Sequence, residues 1–271
     1  KQISRLPIEN NKMIIDAARA IWTTDTFVKT SIHNTKIKNK NIRIYGFAKG
    51  SGMINPKMGT MLAYIFIDCD LNSKILKQLL SENCDETFNS ISVDSDTSTS
   101  DTLMLFSNPI NKIAINKIEI NKISRTLHKV MKDLSFKIIS DGEGVKKIIK
   151  VKVKNARSKS QAKKIAFSIC NSPLVKTAVA GEDANWGRIV MAIGKTKEKI
   201  IQDNITIKFG NFLLAKNGEG NKKINLSKVD KYMKKNQIEI EVNLNLGRYS
   251  KVVYGNDLNN EYIRINADYR S

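Results

Sequence analysis

The stretch that most restricts the fold runs from Lys49 to Asp68, KGSGMINPKMGTMLAYIFID. Its second half, TMLAYIFID, is almost wholly apolar and predicts a strand entering a core. Its first half is a glycine loop that passes through Pro56 into Gly59–Thr60. A threonine at the mouth of a buried strand, preceded by the least hindered residue available, is a suitable place to cut a chain. Cutting there would leave Thr60 with a free amine beside its own hydroxyl, a nucleophile carrying its own base. The same residues also read as an ordinary loop entering a core strand, and this stretch alone leaves both readings open.

With 271 residues the chain can bury a substantial core as one large domain or two lobes. No apolar run approaches the ~20 residues needed to span a bilayer. The chain begins with Lys1, without a charged leader and apolar segment, so no targeting signal is visible and Lys1 is not expected to be the natural start. A formal charge of +20 attracts polyanions in principle. The lysines, however, are scattered among isoleucine and asparagine, as in NKIAINKIEINK and KKIIKVKVK, with no arginine-rich cluster and no aromatic interleaving. That pattern predicts solvated helix and strand faces, with neither nucleic acid nor membrane as partner. An anionic substrate still gains from the positive field. Cys69, Cys84 and Cys170 are odd in number and widely spaced, which fits a reducing cytoplasm and gives no metal pattern. With His33 and His128 as the two histidines, a nucleophile must find its base elsewhere.

Residues 11–22 have helical spacing and run into TTDT (Thr23 to Thr26), whose hydroxyls suit a turn or a polar ligand. Residues 30–41 read as a hairpin or loop before the strand NIRIYGFAK. LNSKILKQLLSEN reads as a helix, TFNSISV and TLMLF as strands around the polar loop VDSDTSTSD, and Ile113 to Leu134 as a long helix. That polar loop is either an exposed connection or a buried network beside a site. Glu143 in DGEG is either an ordinary surface turn residue or a carboxylate presented by its flanking glycines. KKIIKVKVKNA alternates as a strand, SKSQAKKIAFSICNS reads as a serine-capped helix, and Asp183 or Asn185 would cap the next one. Strands follow at NITIKFG, FLLAK, QIEIEVNLNLG and YSKVVYG, with one helix among them. The end, YIRINADYRS, alternates as a strand with a polar tail. These elements predict one two-lobed α/β protein.

The segments AARAIWTTDT, AKGSGMINPKMGTML, VDSDTSTSDT, DGEG, SPLVKTAVAGEDANWGRIVMAIG, YGNDL and INADYRS occur in an order that resembles the glutamate N-acetyltransferase (ornithine acetyltransferase) family of arginine biosynthesis. The resemblance extends from near Lys1 to Ser271. It implies a mixed α/β, αββα-type sandwich of the self-cleaving N-terminal-nucleophile kind. It also implies self-cleavage between Gly59 and Thr60. Residues 1–59 would be the C-terminal part of an α chain, and residues 60–271 a β chain that begins with the nucleophile. Carried over by position, substrate contacts fall on Thr23, Lys49, Thr60, Glu143, Asn266 and Ser271.

Three departures from the family pattern stand out. Gly59 occupies a place where alanine is common, and Asn256 one where cysteine is common. No oxyanion-hole Thr-Gly motif occurs between Lys1 and Thr23, so that element is expected upstream of Lys1. The terminal Ser271 stands where threonine is frequent and keeps the hydroxyl. The implied reaction moves an acetyl group from N-acetylornithine to glutamate through acetyl-Thr60, without metal or cofactor; acetyl-CoA would be a co-substrate if the enzyme is bifunctional. The implied assembly is an α2β2 heterotetramer. Two other readings compete. A self-cleaving N-terminal-nucleophile amidohydrolase or aminopeptidase would pass the acyl group to water, and a basic nucleic-acid-binding protein would show salt-sensitive binding.

Overall fold

In a computed structural model the protein is described over residues 11–55, 61–97, 101–109, 111 and 115–268. It divides into two compact units, the first made of residues 1–89 and 96–141, the second of 90–95 and 142–271.

The first unit contains α1 (Asn11–Ala20), β1 (Lys29–Ile37), β2 (Lys40–Lys49), β3 (Leu62–Ile67), α2 (Ser73–Cys84), β5 (Thr102–Ser107) and α3 (Lys117–Ser140). Lys38 and Asn39, both at positive φ, join β1 to β2 as a two-residue hairpin whose twist matches its strands. The polar run 30–41 is therefore the hairpin, and its first strand belongs to the sheet. The sheet has the order β1-β2-β3-β5, antiparallel except for β3 and β5. Alternation along β2 and β3 sends Ile42, Ile44, Ala48, Ala63, Ile65 and Ile67 inward. Facing them is α3, which packs on β1 and β2 through Ile123, Leu127, Val130, Met131, Leu134 and Ile138. An Asn116–Glu119 capping box starts that helix. It begins later than its apolar pattern suggests and continues to Ser140.

The second unit takes β4 (Ile91–Ser92) from the first half of the chain and adds β6 (Ile148–Ala156), α4 (Lys159–Cys170), α5 (Pro173–Ala180), α6 (Trp186–Gly194), β7 (Thr206–Phe209), β8 (Phe212–Lys216), β9 (Glu219–Gly220), α7 (Leu226–Met233), β10 (Gln237–Asn243), β11 (Tyr249–Asn256) and α8 (Asn260–Asp268). Its sheet runs β4-β11-β6-β10-β7-β8-β9. Val151 and Val153 of β6 and Val253 of β11 share a core with Ile165, Ala166 and Ile169 of α4, and α6 packs on that helix. Ser158 and Asn185 cap α4 and α6, as the sequence predicts for serine and leaves open for Asp183 or Asn185. The lysines that alternate in β6 form ion pairs with β10: Lys150 with Glu239, and Lys152 and Lys154 with Glu241. Such part-exposed pairs contribute little each, so this basic stretch is a half-solvated sheet face.

Two sequence expectations are corrected. TFNSISV is not a full strand: a single 3-10 turn at Phe88–Ser90 leaves β4 only two residues long. YIRINAD is not a strand, because residues 260–268 form α8, and the remainder of that predicted segment lies outside the described residues. None of the α8 residues is buried. Alternation reports a face turned to a core, and here no core supplies the constraint. Local contacts decide instead: the Glu261 amide donates to Asn259 Oδ1, and Glu261 pairs with Arg264 one turn on.

No disulfide forms among the described residues, and Cys69 and Cys170 are buried while Cys84 is half-buried. Burial pushes the Cys170 thiol up to about 11. At pH 8 the thiolate fraction of Cys170 is then about a thousandth, and reactivity follows the thiolate. A thiol reagent is expected to label Cys84 first and Cys170 only on unfolding; mass mapping of a timed reaction checks the order. No described helix is long and apolar enough to cross a membrane.

Candidate active site

The polar residues of the first unit gather where three neighbouring strands end. Lys49 is the last residue of β2 and pairs with Leu62, the first of β3, which pairs in turn with Thr102, the first of β5. Lys49 is buried, and its Nζ lies 3.3 Å from Thr23 Oγ1, to which it donates. On the neighbouring strands the Met61 amide donates to Asp101 Oδ1 at 2.6 Å, and the Thr102 amide donates to the Met61 carbonyl at 2.9 Å. Burial pushes the Asp101 carboxyl up, against the opposing pull of the Met61 hydrogen bond and the Lys49 charge. Two predicted substrate residues, Thr23 and Lys49, are thus in contact.

The TTDT turn is held by an ion network that sequence reasoning missed. The Lys29 side chain is fully buried, and its ammonium lies 2.5 Å from both Asp25 Oδ1 and Asp141 Oδ2. Asp141 also accepts the Thr26 amide and the Thr26 hydroxyl. Asp25 accepts the Gly50 amide at 2.9 Å, next to Lys49, and the Thr24 and Ser51 hydroxyls share a hydrogen bond. Gly50 has φ of 141°, a conformation few side chains tolerate. Each TTDT residue therefore has a fixed partner, and the turn that carries Thr23 is tied to the strand end that carries Lys49.

In the second unit Glu143 sits in a turn closed by the Val145 amide on the Gly142 carbonyl. Its Oε2 accepts the Asn266 side-chain amide at 2.9 Å. The two predicted contacts are 123 residues apart in sequence, and Asp257 explains how they meet. Asp257 Oδ1 accepts the amides of Lys146 and Lys147, just past the turn. Asp257 Oδ2 accepts Asn259 Nδ2, which also donates to the Gly144 carbonyl. The YGNDL segment thereby delivers α8, and Asn266 with it, to the Glu143 turn.

Asn256, where the family resemblance assigned no role, has a packing one. A Cβ on Gly142 would overlap its side-chain amide, and its carbonyl accepts the buried Lys176 ammonium, as does that of Val93. Burial pushes the Lys176 ammonium down. No cluster of three or more His, Cys, Asp or Glu residues that could hold a metal occurs among the described residues. Gly59, Thr60 and Ser271 lie outside the described residues.

Two sheet-and-helix units define a mixed α/β protein, in which the predicted contacts meet as a Lys49–Thr23 pair in the first unit and a Glu143–Asn266 pair in the second. The chain belongs to the ArgJ family, whose match covers residues 1–271. It is 44% identical over 268 residues to the arginine biosynthesis bifunctional protein ArgJ of Nitrobacter winogradskyi, covering 95% of this chain and 63% of that protein. Against the protein of the same name from Brucella melitensis it is 45% identical over 265 residues, covering 94% of this chain and 64% of the relative. The chain thus spans about 63–64% of the length of these curated relatives. The crystal structure of the arginine biosynthesis bifunctional protein ArgJ of Bacillus halodurans matches with a TM-score of 0.73 at 34% identity, over 78% of this chain and 100% of that one.

Proposed function

We propose that this protein is an acetyltransferase that moves the acetyl group of N-acetylornithine to glutamate through an acetyl-Thr60 intermediate, after self-cleavage between Gly59 and Thr60. The observation that carries the reading is the strand-end row: Lys49, whose buried ammonium donates to Thr23, pairs in the sheet register with Leu62, two residues beyond Thr60. A buried cation at that position suits a substrate carboxylate. The Bacillus chain adds support. Its whole length is matched by 78% of this chain at 34% identity.

In the uncut chain the Thr60 hydroxyl attacks the Gly59 carbonyl carbon, the peptide C–N bond breaks, and the hydroxyl proton ends on the new amine. Water then hydrolyses the ester and frees the hydroxyl. That amine has an ordinary pKa of about 7.7–8.0, so much of it is neutral near pH 7.5 and can take the hydroxyl proton during catalysis. Thr60 Oγ attacks the acetyl carbonyl, and ornithine leaves carrying the proton. Glutamate then reverses the sequence as acceptor. Lys49 holds a substrate carboxylate and Glu143 an ammonium, with Asn266 and Ser271 completing the contacts. Because β2 and β3 are hydrogen-bonded neighbours from Lys49↔Leu62 to Ile44↔Ile67, the cut pieces stay paired through the sheet.

The working form is a cytoplasmic α2β2 assembly with no metal or cofactor. Acetyl-CoA serves as a second donor, in keeping with the relatives' bifunctional name. Thr60→Ala is expected to leave one uncut chain by intact mass and to abolish acetylglutamate formation. A cut or active Thr60→Ala protein would sink the mechanism, and acetate release in place of acetylglutamate would move the enzyme to the hydrolases.

A further inference from the structure

We propose that Asp25 is a positioning residue that presents Lys49 and Thr23 together as two donors for one substrate carboxylate. The inference rests on the reading of Thr23 and Lys49 as substrate contacts. Asp25 lies in one of two facing segments, TTDT and KGS, that are laced residue by residue: Thr23 to Lys49, Thr24 to Ser51 and Asp25 to Gly50. Asp25 Oδ1 accepts the Gly50 amide at 2.9 Å. That amide shares its peptide unit with the Lys49 carbonyl, and a peptide unit is planar, so holding it fixes the plane that leads back to the Lys49 α-carbon. Asp25 Oδ2 accepts the Thr23 amide at the longer distance of 3.5 Å. One carboxylate thus holds the backbone on both sides of the Lys49–Thr23 contact.

What that contact offers follows from its donors. Lys49 Nζ donates to Thr23 Oγ1 at 3.3 Å. The hydroxyl oxygen is therefore the acceptor, and its own hydrogen points away from the ammonium. An ammonium has three N–H groups, and among the described residues Thr23 is the one hydrogen-bond acceptor for Lys49. Donors left unused on a buried cation cost free energy until a ligand oxygen takes them. Lys49 is buried whereas Thr23 is exposed, so the pair reaches from the interior to the surface at which a ligand arrives. Its two free donor directions, one N–H and one O–H, match the two oxygens of an α-carboxylate, which N-acetylornithine and glutamate both carry. Asp25 is itself locked in place: its side chain is closed to solvent, with the Lys29 ammonium 2.5 Å from Oδ1 and Asp141 on that same ammonium. It takes no part in bond making and keeps the two donors at a fixed spacing.

The test measures acetylglutamate formation by the full natural polypeptide carrying Asp25→Asn, Thr23→Val, Lys49→Met, or Asp25→Asn with Thr23→Val. Asparagine keeps an oxygen for Gly50 and Lys29 but sets an N–H group against the Thr23 amide. Its melting temperature is expected to stay close to wild type. KM for N-acetylornithine and KM for glutamate are expected to rise by a common factor of about five to ten, with kcat changed less than about twofold, as when binding common to ground and transition states is lost. In the Thr23→Val background the asparagine exchange is expected to move KM by less than about twofold, because the contact it acts through is already gone. Wild-type KM values in Asp25→Asn overturn the proposal. So does a KM rise that persists undiminished in the Thr23→Val background, or a fall in melting temperature and kcat with KM unchanged, which a purely structural role would give. If Thr23→Val and Lys49→Met raise KM and Asp25→Asn does not, only the role of Asp25 falls. If neither of those two variants moves KM, or wild type makes no acetylglutamate, the underlying reading of the site falls with it.

Discussion

Replacing Lys29 by methionine is expected to destabilise the first unit by about 3–5 kcal/mol, as removal of one partner from a buried ion pair does. The methionine fills a similar volume, so the loss is electrostatic. Lys29 is fully buried between Asp25 and Asp141, whose side chains are 0% and 3% exposed. Without the ammonium, two carboxylates remain in a site closed to water, and each must be protonated or drag solvent inward. The Gly50 and Thr26 donors that remain on Asp25 and Asp141 are too few to replace a full positive charge. Denaturant titration of the first unit reads the loss as a lower midpoint. A triple variant with Asp25→Asn, Lys29→Met and Asp141→Asn is expected to recover most of it, because no buried charge is then left alone. A single variant that loses less than about 1 kcal/mol would mean that water reaches this network.

Much of this fold is legible in the sequence because burial leaves a period. Alternation in β2, β3, β6 and β10 and the 3.6-residue spacing of α3 and α4 report a core face directly. The Ser158 and Asn185 caps are equally local. Helix α8 is where that logic fails: with no buried residue there is no face to report, and Ile263 and Ile265 imitate a strand. The members of the Thr23–Lys49 and Glu143–Asn266 pairs are picked out by resemblance, but their supports are not. Asp25, Lys29 and Asp141 span 116 residues of sequence, and nothing in TTDT or SDGEG announces that one buried lysine joins them. The VDSDTSTSD loop left an exposed connection and a buried network both open. Ser95, Asp96 and Thr97 are exposed while one carboxylate oxygen of the half-buried Asp101 is enclosed, and only strand register, which puts β3 beside β5, reveals its contact with Met61. Long-range polar contacts carry no periodic signature, so sequence shows which residues are polar and only the fold shows which of them meet.

Gly144→Ala is the second large effect, because it acts on the fold and the site together. Gly144 has φ of +69°, where a side chain costs about 1–2 kcal/mol in backbone strain alone. The added Cβ would also overlap the Tyr262 backbone nitrogen and stand 2.9 Å from the Glu261 carbonyl carbon, both in the first turn of α8. Neither is the end of a flexible side chain, so the helix itself must retreat until the contact relaxes, by about 1 Å. The Asn259 bond to the Gly144 carbonyl and the 2.9 Å contact of Asn266 with Glu143 both cross that gap. Under the proposed function, misplacing two substrate-binding groups by this much lowers acetyl transfer by about 100-fold. Self-cleavage, which needs neither group, should proceed as in wild type. Gly194, at the end of α6, provides the contrast: a Cβ there meets nothing within 4 Å, so Gly194→Ala is expected to be neutral or to stabilise by about 0.5–1 kcal/mol. Cleavage by intact mass and transfer by acetylglutamate assay, made on the same preparations, decide the matter. A Gly144→Ala protein that transfers normally would show that Glu143 and Asn266 need not meet for catalysis, and one that fails to cut would place the α8 contact in the self-cleavage step as well.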